Sequence, residues 1–164
     1  MGEFDGKTAI ITGGTQGLGE EVAKNFAEHG VSKIVIAGRN QDRGDTVCNA
    51  LSKMGCEALF VSADLRSVNA NREIVATARS HFDQIDHLVN CAADTRRGNI
   101  VDTSEQLLDD IFSVNFRAPF FIMQEVVRWM IEKNTEGSIV NVLSTSYHCG
   151  QPFLSAYSAS KAAL

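Results

Sequence analysis

Long apolar runs are missing from this sequence of 164 residues. No stretch approaches the roughly 20 apolar residues of a membrane span, and even "APFFIM" is cut short by Gln124. An excess of basic residues is missing too. Fifteen Lys and Arg against 20 Asp and Glu leave a formal charge of −5, which argues against nucleic acid and gives no support to an anionic membrane surface. The cysteines (Cys48, Cys56, Cys91, Cys149) have neither metal-ligand spacing nor the density of a disulfide scaffold. A reduced, cytoplasmic compartment and no metal site are expected. Cys91 and Cys149 either line a site or act as small buried fillers. The N-terminal "MGEFDGK" is acidic where a secretory signal is basic, and position six lacks the Ser or Thr of a myristoylation site. There are only two prolines and no repeat, low-complexity tract or linker, so residues 1–164 read as one domain.

What is there is an alternation. "KTAIIT" is a short β-branched run ended by glycines, hence a buried strand. "LGEEVAKNFAEHG" follows with a helical stripe of Leu18, Val22, Ala23, Phe26 and Ala27, stopped by Gly30. "KIVIAG", "EALFVSAD", "IDHLVNCAA" and "GSIVNVLS" read as four further strands. Helical patterns lie between them, the last a long one from about 104 to 133. Strands alternating with helices imply right-handed crossovers, hence a Rossmann-type, doubly wound α/β fold with helices on both faces of a parallel sheet. A sixth helix, "AYSASKAAL", has barely begun at Leu164 and carries no cap or breaker. The expectation is a domain cut short, lacking its C-terminal strands and substrate lid, with an open sheet edge and little turnover in that form.

Two local patterns carry chemistry. "TGGTQGLG" runs from the first strand into the first helix, where backbone amides bind phosphate and glycines let a diphosphate approach. Gly13, Gly17 and Gly19 give Gly-x-x-x-Gly-x-Gly. Gly13, Thr15, Gln16, Gly17, Leu18 and Gly19 are therefore the candidates for holding a dinucleotide. Near the end, Tyr157 and Lys161 are four apart, on one helix face. An ammonium there lowers the pKa of a phenol, which suits a proton-transfer enzyme. Alone the pair is weak, since Tyr-x-x-x-Lys also falls on solvated helix faces.

Together these residues resemble the short-chain dehydrogenase/reductase family, in the branch with chains of about 250 residues. Thr12, Gly13, Gly17 and Gly19 match its glycine loop, and Asp64, followed by Leu65, matches the aspartate that meets the adenine. Asn90 and Ala92 match the Asn-Asn-Ala-Gly segment. Asn115, Ser144, Tyr157 and Lys161 match the catalytic tetrad, with Tyr157 following Ser144 by 13 residues, as is usual in the family. The resemblance covers the whole chain. It departs at Cys91, at Ala93, which stands where glycine is usual, and at Leu143, which replaces a frequent serine.

The resemblance implies hydride transfer between a nicotinamide cofactor and a carbonyl or secondary alcohol. Tyr157 would be the general acid or base, and Lys161 would tune it and grip the cofactor ribose. Ser144 would polarise the substrate oxygen, and Asn115 would hold a relay water. Gly38 stands where an NAD-selective acid would sit, and Arg39 and Asn40 follow, so NADP(H) is favoured over NAD(H). Arg96 and Arg97 either face solvent or steer an anionic substrate, and His148 is a loop residue near the substrate at best. The long helix is part core and, by resemblance, a subunit contact of a homodimer or homotetramer. A non-catalytic binding or sensor protein on the same fold is the alternative. A nucleotide-sugar epimerase, with its Gly-x-x-Gly-x-x-Gly spacing, fits less well. The substrate is not legible.

Overall fold

The computed structural model describes residues 4–164; the reading of "MGE" at the N-terminus lies outside the described residues. Five strands form one sheet: β1 (Thr8–Thr12), β2 (Lys33–Gly38), β3 (Glu57–Ser62), β4 (His87–Asn90) and β5 (Ser138–Asn141). All pairings are parallel, in the order β3-β2-β1-β4-β5. A parallel pair needs a crossover. The helices supply it: α1 (Gly17–Glu28), α2 (Gln41–Lys53), α3 (Val68–His81), α4 (Glu105–Phe112) and α5 (Ala118–Lys133), with α6 (Ser155–Ala163) last.

The central position of β1 explains its composition. Every residue of "TAIIT" is buried, as a strand covered on both faces requires. Alternate residues then sort into two cores. Ile10, Val35 and Leu88 face α3 and α5, meeting Ile74, Ile122 and Trp129. Ala9, Ile11, Ile34 and Ile36 face α1 and α2, meeting Ala23, Val47 and Leu51. The edge strands β3 and β5 are less buried.

Side-chain caps fix where the helices begin. The Asn40 side chain accepts from the Arg43 amide, Ser67 from Ala70 and Ser104 from Leu107. Two sequence expectations are corrected. The long helix is interrupted by a π-helical turn, Ser113–Arg117, between α4 and α5; its extra residue carries Asn115 inward, to full burial. Leu18 leaves the core stripe of α1 and is exposed, because the first turn of the helix opens on the cleft.

The chain runs from β1 to one side through β2 and β3, then crosses back to β4. Open α/β sheets place their ligand crevice beyond the C-terminal strand ends at such a reversal.

Candidate active site

A cavity of about 680 Å³ lies at those strand ends. Its floor is the glycine loop. Gly13 has φ +69°, and a Cβ there would sit 2.8 Å from Ala92 Cα. A Cβ on Gly19 would strike the Gly13 carbonyl. Gly17 has φ +55° and faces open space. The first two glycines let the loop fold tightly, and the third leaves room above it. Gln16, the residue before α1, makes no capping bond with its side chain. The first-turn amides of α1 are thus left to a ligand, and phosphate is the ligand such a terminus suits.

The wall at the end of β2 is basic. Arg39 and Arg43 both line the cavity and form no ion pair among the described residues. Arg43 Nη1 donates to Gln16 Oε1 at 2.6 Å. Thr15 is buried, and a Cβ on Gly38 would meet its Cγ2 at 2.8 Å. Packing against Thr15 therefore opposes any side chain at position 38, an acid included. Asn40 does not line the cavity; its side chain is committed to the α2 cap.

The opposite wall comes from the loops after β3 and β4. Asp64 and Leu65 line the cavity, as do Ala92 and Ala93. Asp64 is held by Arg66, whose Nη2 donates to Oδ2 at 2.6 Å. Arg66 holds this carboxyl below its usual range, chiefly by hydrogen bonding. Asn90 lies behind the wall and is buried; its Nδ2 donates to Asn141 Oδ1 at 2.9 Å, joining β4 to β5.

The tetrad residues lie beyond this wall, where β4, β5 and α6 meet, and none of them lines the cavity. Asn115 Oδ1 accepts from the Asp94 amide at 2.7 Å, and its Nδ2 donates to the Asp94 carbonyl and to Ser160 Oγ, each at 3.0 Å. It thereby fastens the β4 loop to α6. Lys161 is 2% exposed, and its Nζ donates to the Val142 carbonyl at 2.6 Å. Burial pushes its ammonium pKa down, and the neighbouring Cys91 thiol opposes that shift. Cys91 lines the cavity and has its own pKa raised by burial. Ser144 Oγ donates to Ser146 Oγ at 2.9 Å. Tyr157 is half-buried on α6, and its carbonyl accepts from Ser160 Oγ at 2.7 Å. Asn115 thus joins α6 through Ser160, and Lys161 joins α6 to the chain just after β5 through the Val142 carbonyl.

Two sequence readings change here. Arg96 and Arg97 are both exposed on the loop, but Arg96 is bound to Asp94 and Asp110 and is not a free charge awaiting an anion. Of the two cysteines considered, Cys91 lines the cavity and Cys149 is exposed, while Cys56 is the buried filler. Arg43, Arg66, Asp94 and Asp110 were not singled out from sequence. The signal for two of them was present: Asp64-Leu-Arg66 and Asp94-Thr-Arg96 repeat one Asp-x-Arg pattern after successive strands.

A family model for short chain dehydrogenases matches residues 7–164. The chain belongs to that family. It is 36% identical over 168 residues to a short chain dehydrogenase of Pseudocercospora fijiensis, covering all of this chain and 53% of that one. It is 37% identical over 161 residues to an uncharacterized oxidoreductase of Thermotoga maritima, covering 98% of this chain and 62% of the relative. Among solved structures, a short chain dehydrogenase from Burkholderia cenocepacia in complex with NADP superposes with a TM-score of 0.90. The identity is 30%, over 98% of this chain and 64% of that one. The chain thus spans between about half and two-thirds of the length of these relatives. Like them it carries the parallel Rossmann-type sheet of an oxidoreductase family. Among the described residues no helix is long and apolar enough to cross a membrane.

Proposed function

We propose that this chain carries the cofactor site and the proton-transfer residues of an NADP(H)-dependent oxidoreductase acting on a carbonyl or secondary alcohol. One observation carries the cofactor choice: two guanidiniums, Arg39 and Arg43, without carboxylate partners among the described residues, beside a glycine-floored cleft. A guanidinium suits a phosphate dianion, and a pair of them is otherwise an unfavourable concentration of like charge. The residues fit the group. Gly17 and the α1 amides would hold the diphosphate, Arg39 and Arg43 the ribose phosphate, Asp64 and Leu65 the adenine, and Lys161 the second ribose. The bound dinucleotide supplies or accepts the hydride.

The chain's own residues do the rest. In reduction Tyr157 gives its phenolic proton to the substrate oxygen, and in oxidation it takes that proton back. Lys161, buried and positively charged, stabilises the resulting phenolate. The Ser144 hydroxyl exchanges its bond to Ser146 for one to the substrate oxygen and stabilises the charge developing there. Asn115 keeps the β4 loop and α6 in register. Exposed Phe120, Val127 and Ile131 on α5 support a homo-oligomer contact through that helix. The four free thiols suit a reducing cytoplasm.

Substituting Tyr157→Phe tests the mechanism. Turnover should fall by about 10²- to 10⁴-fold, while NADPH affinity, read by fluorescence titration, stays the same. Undiminished turnover would remove Tyr157 from the mechanism. A protein that binds NADPH but turns over no carbonyl even as wild type would favour the binding-module reading.

A further inference from the structure

The two loops that make the far wall of the cleft end in the same device. After β3, Asp64 accepts from the Arg66 amide (3.0 Å to Oδ1), from Nε (3.1 and 3.0 Å) and from Nη2 (2.6 Å). After β4, Asp94 accepts from the Arg96 amide (3.0 Å), from Nε (3.0 and 2.9 Å) and from Nη2 (2.6 Å). Each Asp-x-Arg turn is a closed hook, with the acid and the base both lining the cavity.

Both hooks reach one carboxylate. Asp110 Oδ2 accepts from Arg96 Nη2 at 2.8 Å and pairs with Arg66 Nη1 at 3.5 Å. Its Oδ1 accepts from Gln106 Nε2 at 2.8 Å. Asp110 is 6% exposed and sits on α4, outside the cavity lining. The π turn that follows α4 carries Asn115, which holds the Asp94 amide and carbonyl. One helix and its extension therefore grip the β4 loop twice and the β3 loop once.

We propose that Asp110 is a positioning residue for the dinucleotide, the common catch that fixes the separation of the two loops and hence the span between the adenine and nicotinamide ends of the cleft. This rests on the dinucleotide reading above. A ligand held at both ends needs both ends at the right distance, and a misplacement of about 1 Å can lower a rate about 100-fold. Charge alone acts in the opposite direction. Removing a carboxylate from a cleft that takes a polyanion makes the cleft more positive, so a purely electrostatic role predicts tighter binding. The two roles differ in sign.

The test is Asp110→Asn in the full-length protein. NADPH and the half-ligand 2′,5′-ADP, which engages only the adenine end, are titrated in parallel. The expected result is NADPH binding weaker by about 10- to 100-fold, the scale set by the loss of one charge-assisted hydrogen bond, with 2′,5′-ADP unchanged or tighter. Equal weakening of both ligands would mean general loosening, and tighter NADPH binding would mean charge alone; either overturns the inference. Amide hydrogen exchange on the unliganded protein gives a readout independent of any cofactor. Exchange at the Arg66 and Arg96 amides should quicken in the variant while β1 and β2 keep their protection, and unchanged exchange at both amides overturns the proposal. Should Asp110→Asn fail to fold, Arg96→Gln, at a half-exposed side chain, cuts the stronger of the two links. Because it removes a positive charge, charge alone would weaken NADPH and 2′,5′-ADP alike. Weaker NADPH binding with 2′,5′-ADP unchanged therefore supports the catch, and equal weakening overturns it. Wild-type protein that binds neither NADPH nor NADH would instead overturn the dinucleotide reading, and the exchange measurement would still decide the link.

Discussion

Four arginines face the cleft, and its two walls use them differently. At the end of β2, Arg39 and Arg43 form no ion pair among the described residues, Arg39 acting on the Asp64 carboxylate only through its field, and Arg43 rests on the neutral amide of Gln16. At the ends of β3 and β4, Arg66 and Arg96 are each bound to two carboxylates. The same side chain serves as an open charge on one wall and as a structural tie on the other. An arginine already satisfied by carboxylates offers little to a phosphate, because binding would only exchange one anion for another. On the reading proposed above, selectivity for a phosphorylated ribose would belong to the β2 wall, and the span of the site to the wall facing it.

The sharpest way to break this comparison is to remove the open charges. Arg39→Ala with Arg43→Ala should weaken NADPH binding by at least about 100-fold, given about 1.5–3 kcal/mol for each hydrogen-bonded charge and about 1.4 kcal/mol per tenfold. NADH binding should change by less than about threefold, since its ribose offers no dianion. Parallel titrations measure both. Equal losses for the two cofactors would deny the β2 wall its selectivity. Loss for neither would mean that the arginines face solvent.

A smaller effect comes from moving a carboxylate onto the open wall. Gly38→Asp places an acid where NAD-selective relatives of the fold carry one, but its Cβ would crowd Thr15 Cγ2 at 2.8 Å. Overpacking of this kind costs about 1–3 kcal/mol. In a chain of this size that lowers Tm by a few degrees, at about 2–4 °C per kcal/mol. The single variant should therefore lose stability and bind both cofactors less well. Adding Thr15→Ala should restore Tm and shift preference toward NADH. If the single variant kept its full Tm and already preferred NADH, Thr15 would have no part in excluding an acid at position 38.

How much of this was legible in the sequence follows the same division. The glycine loop, the strands and the order of the family motifs could be read because they depend on local backbone demands: a Cβ that cannot fit at Gly13, or a strand with every residue buried at β1. Arg39 could be read because its place after β2 is fixed by the strand. Arg43 could not, since only the Asn40 cap and the start of α2 turn it toward the cleft. Asp110 was out of reach for a stronger reason. Its partners lie 14 and 44 positions earlier in the chain, and nothing local distinguishes it from the exposed acid beside it, Asp109. The break in the long helix was missed although Pro119, at the start of α5, announces it. A proline has no amide to give the carbonyl four residues back and is tolerated where a helix begins, whereas the extra residue of the π turn leaves no mark of its own in the sequence.

The far end of β4 provides a contrast to both walls, with the smallest expected effect and none on binding. His87 begins the strand whose other end, Asn90, borders the site. Its Nδ1 bonds Ser138 Oγ at 2.8 Å, while Nε2 is buried with no hydrogen-bond partner among the described residues. Phe4 and Phe26 pack against the ring. Burial lowers the His87 pKa, and the nearby Asp86 carboxylate only partly opposes this. A proton on Nε2 would meet no acceptor. Above the unfolded-state value of about 6.5 the imidazole is neutral in both states and its contribution to stability is complete. As pH falls below that value the unfolded chain takes up the proton first, so stability declines, by up to about 1.4 kcal/mol per pH unit for one proton, until the folded-state pKa is passed. The Asp86 carboxyl, held below its usual range because bonds from Thr8, Lys7 and Gln84 outweigh its burial, contributes above about pH 4 and loses its effect only at lower pH, which leaves His87 the window between. Urea titrations at pH 7.5, 6.5 and 5.5 should show that decline in the wild type and a flatter profile in His87→Gln, with NADPH affinity at pH 7.5 equal in the two proteins. A profile as steep in the variant would assign the acid sensitivity to another group, and a change in affinity would mean that β4 transmits strain from its base to the cleft.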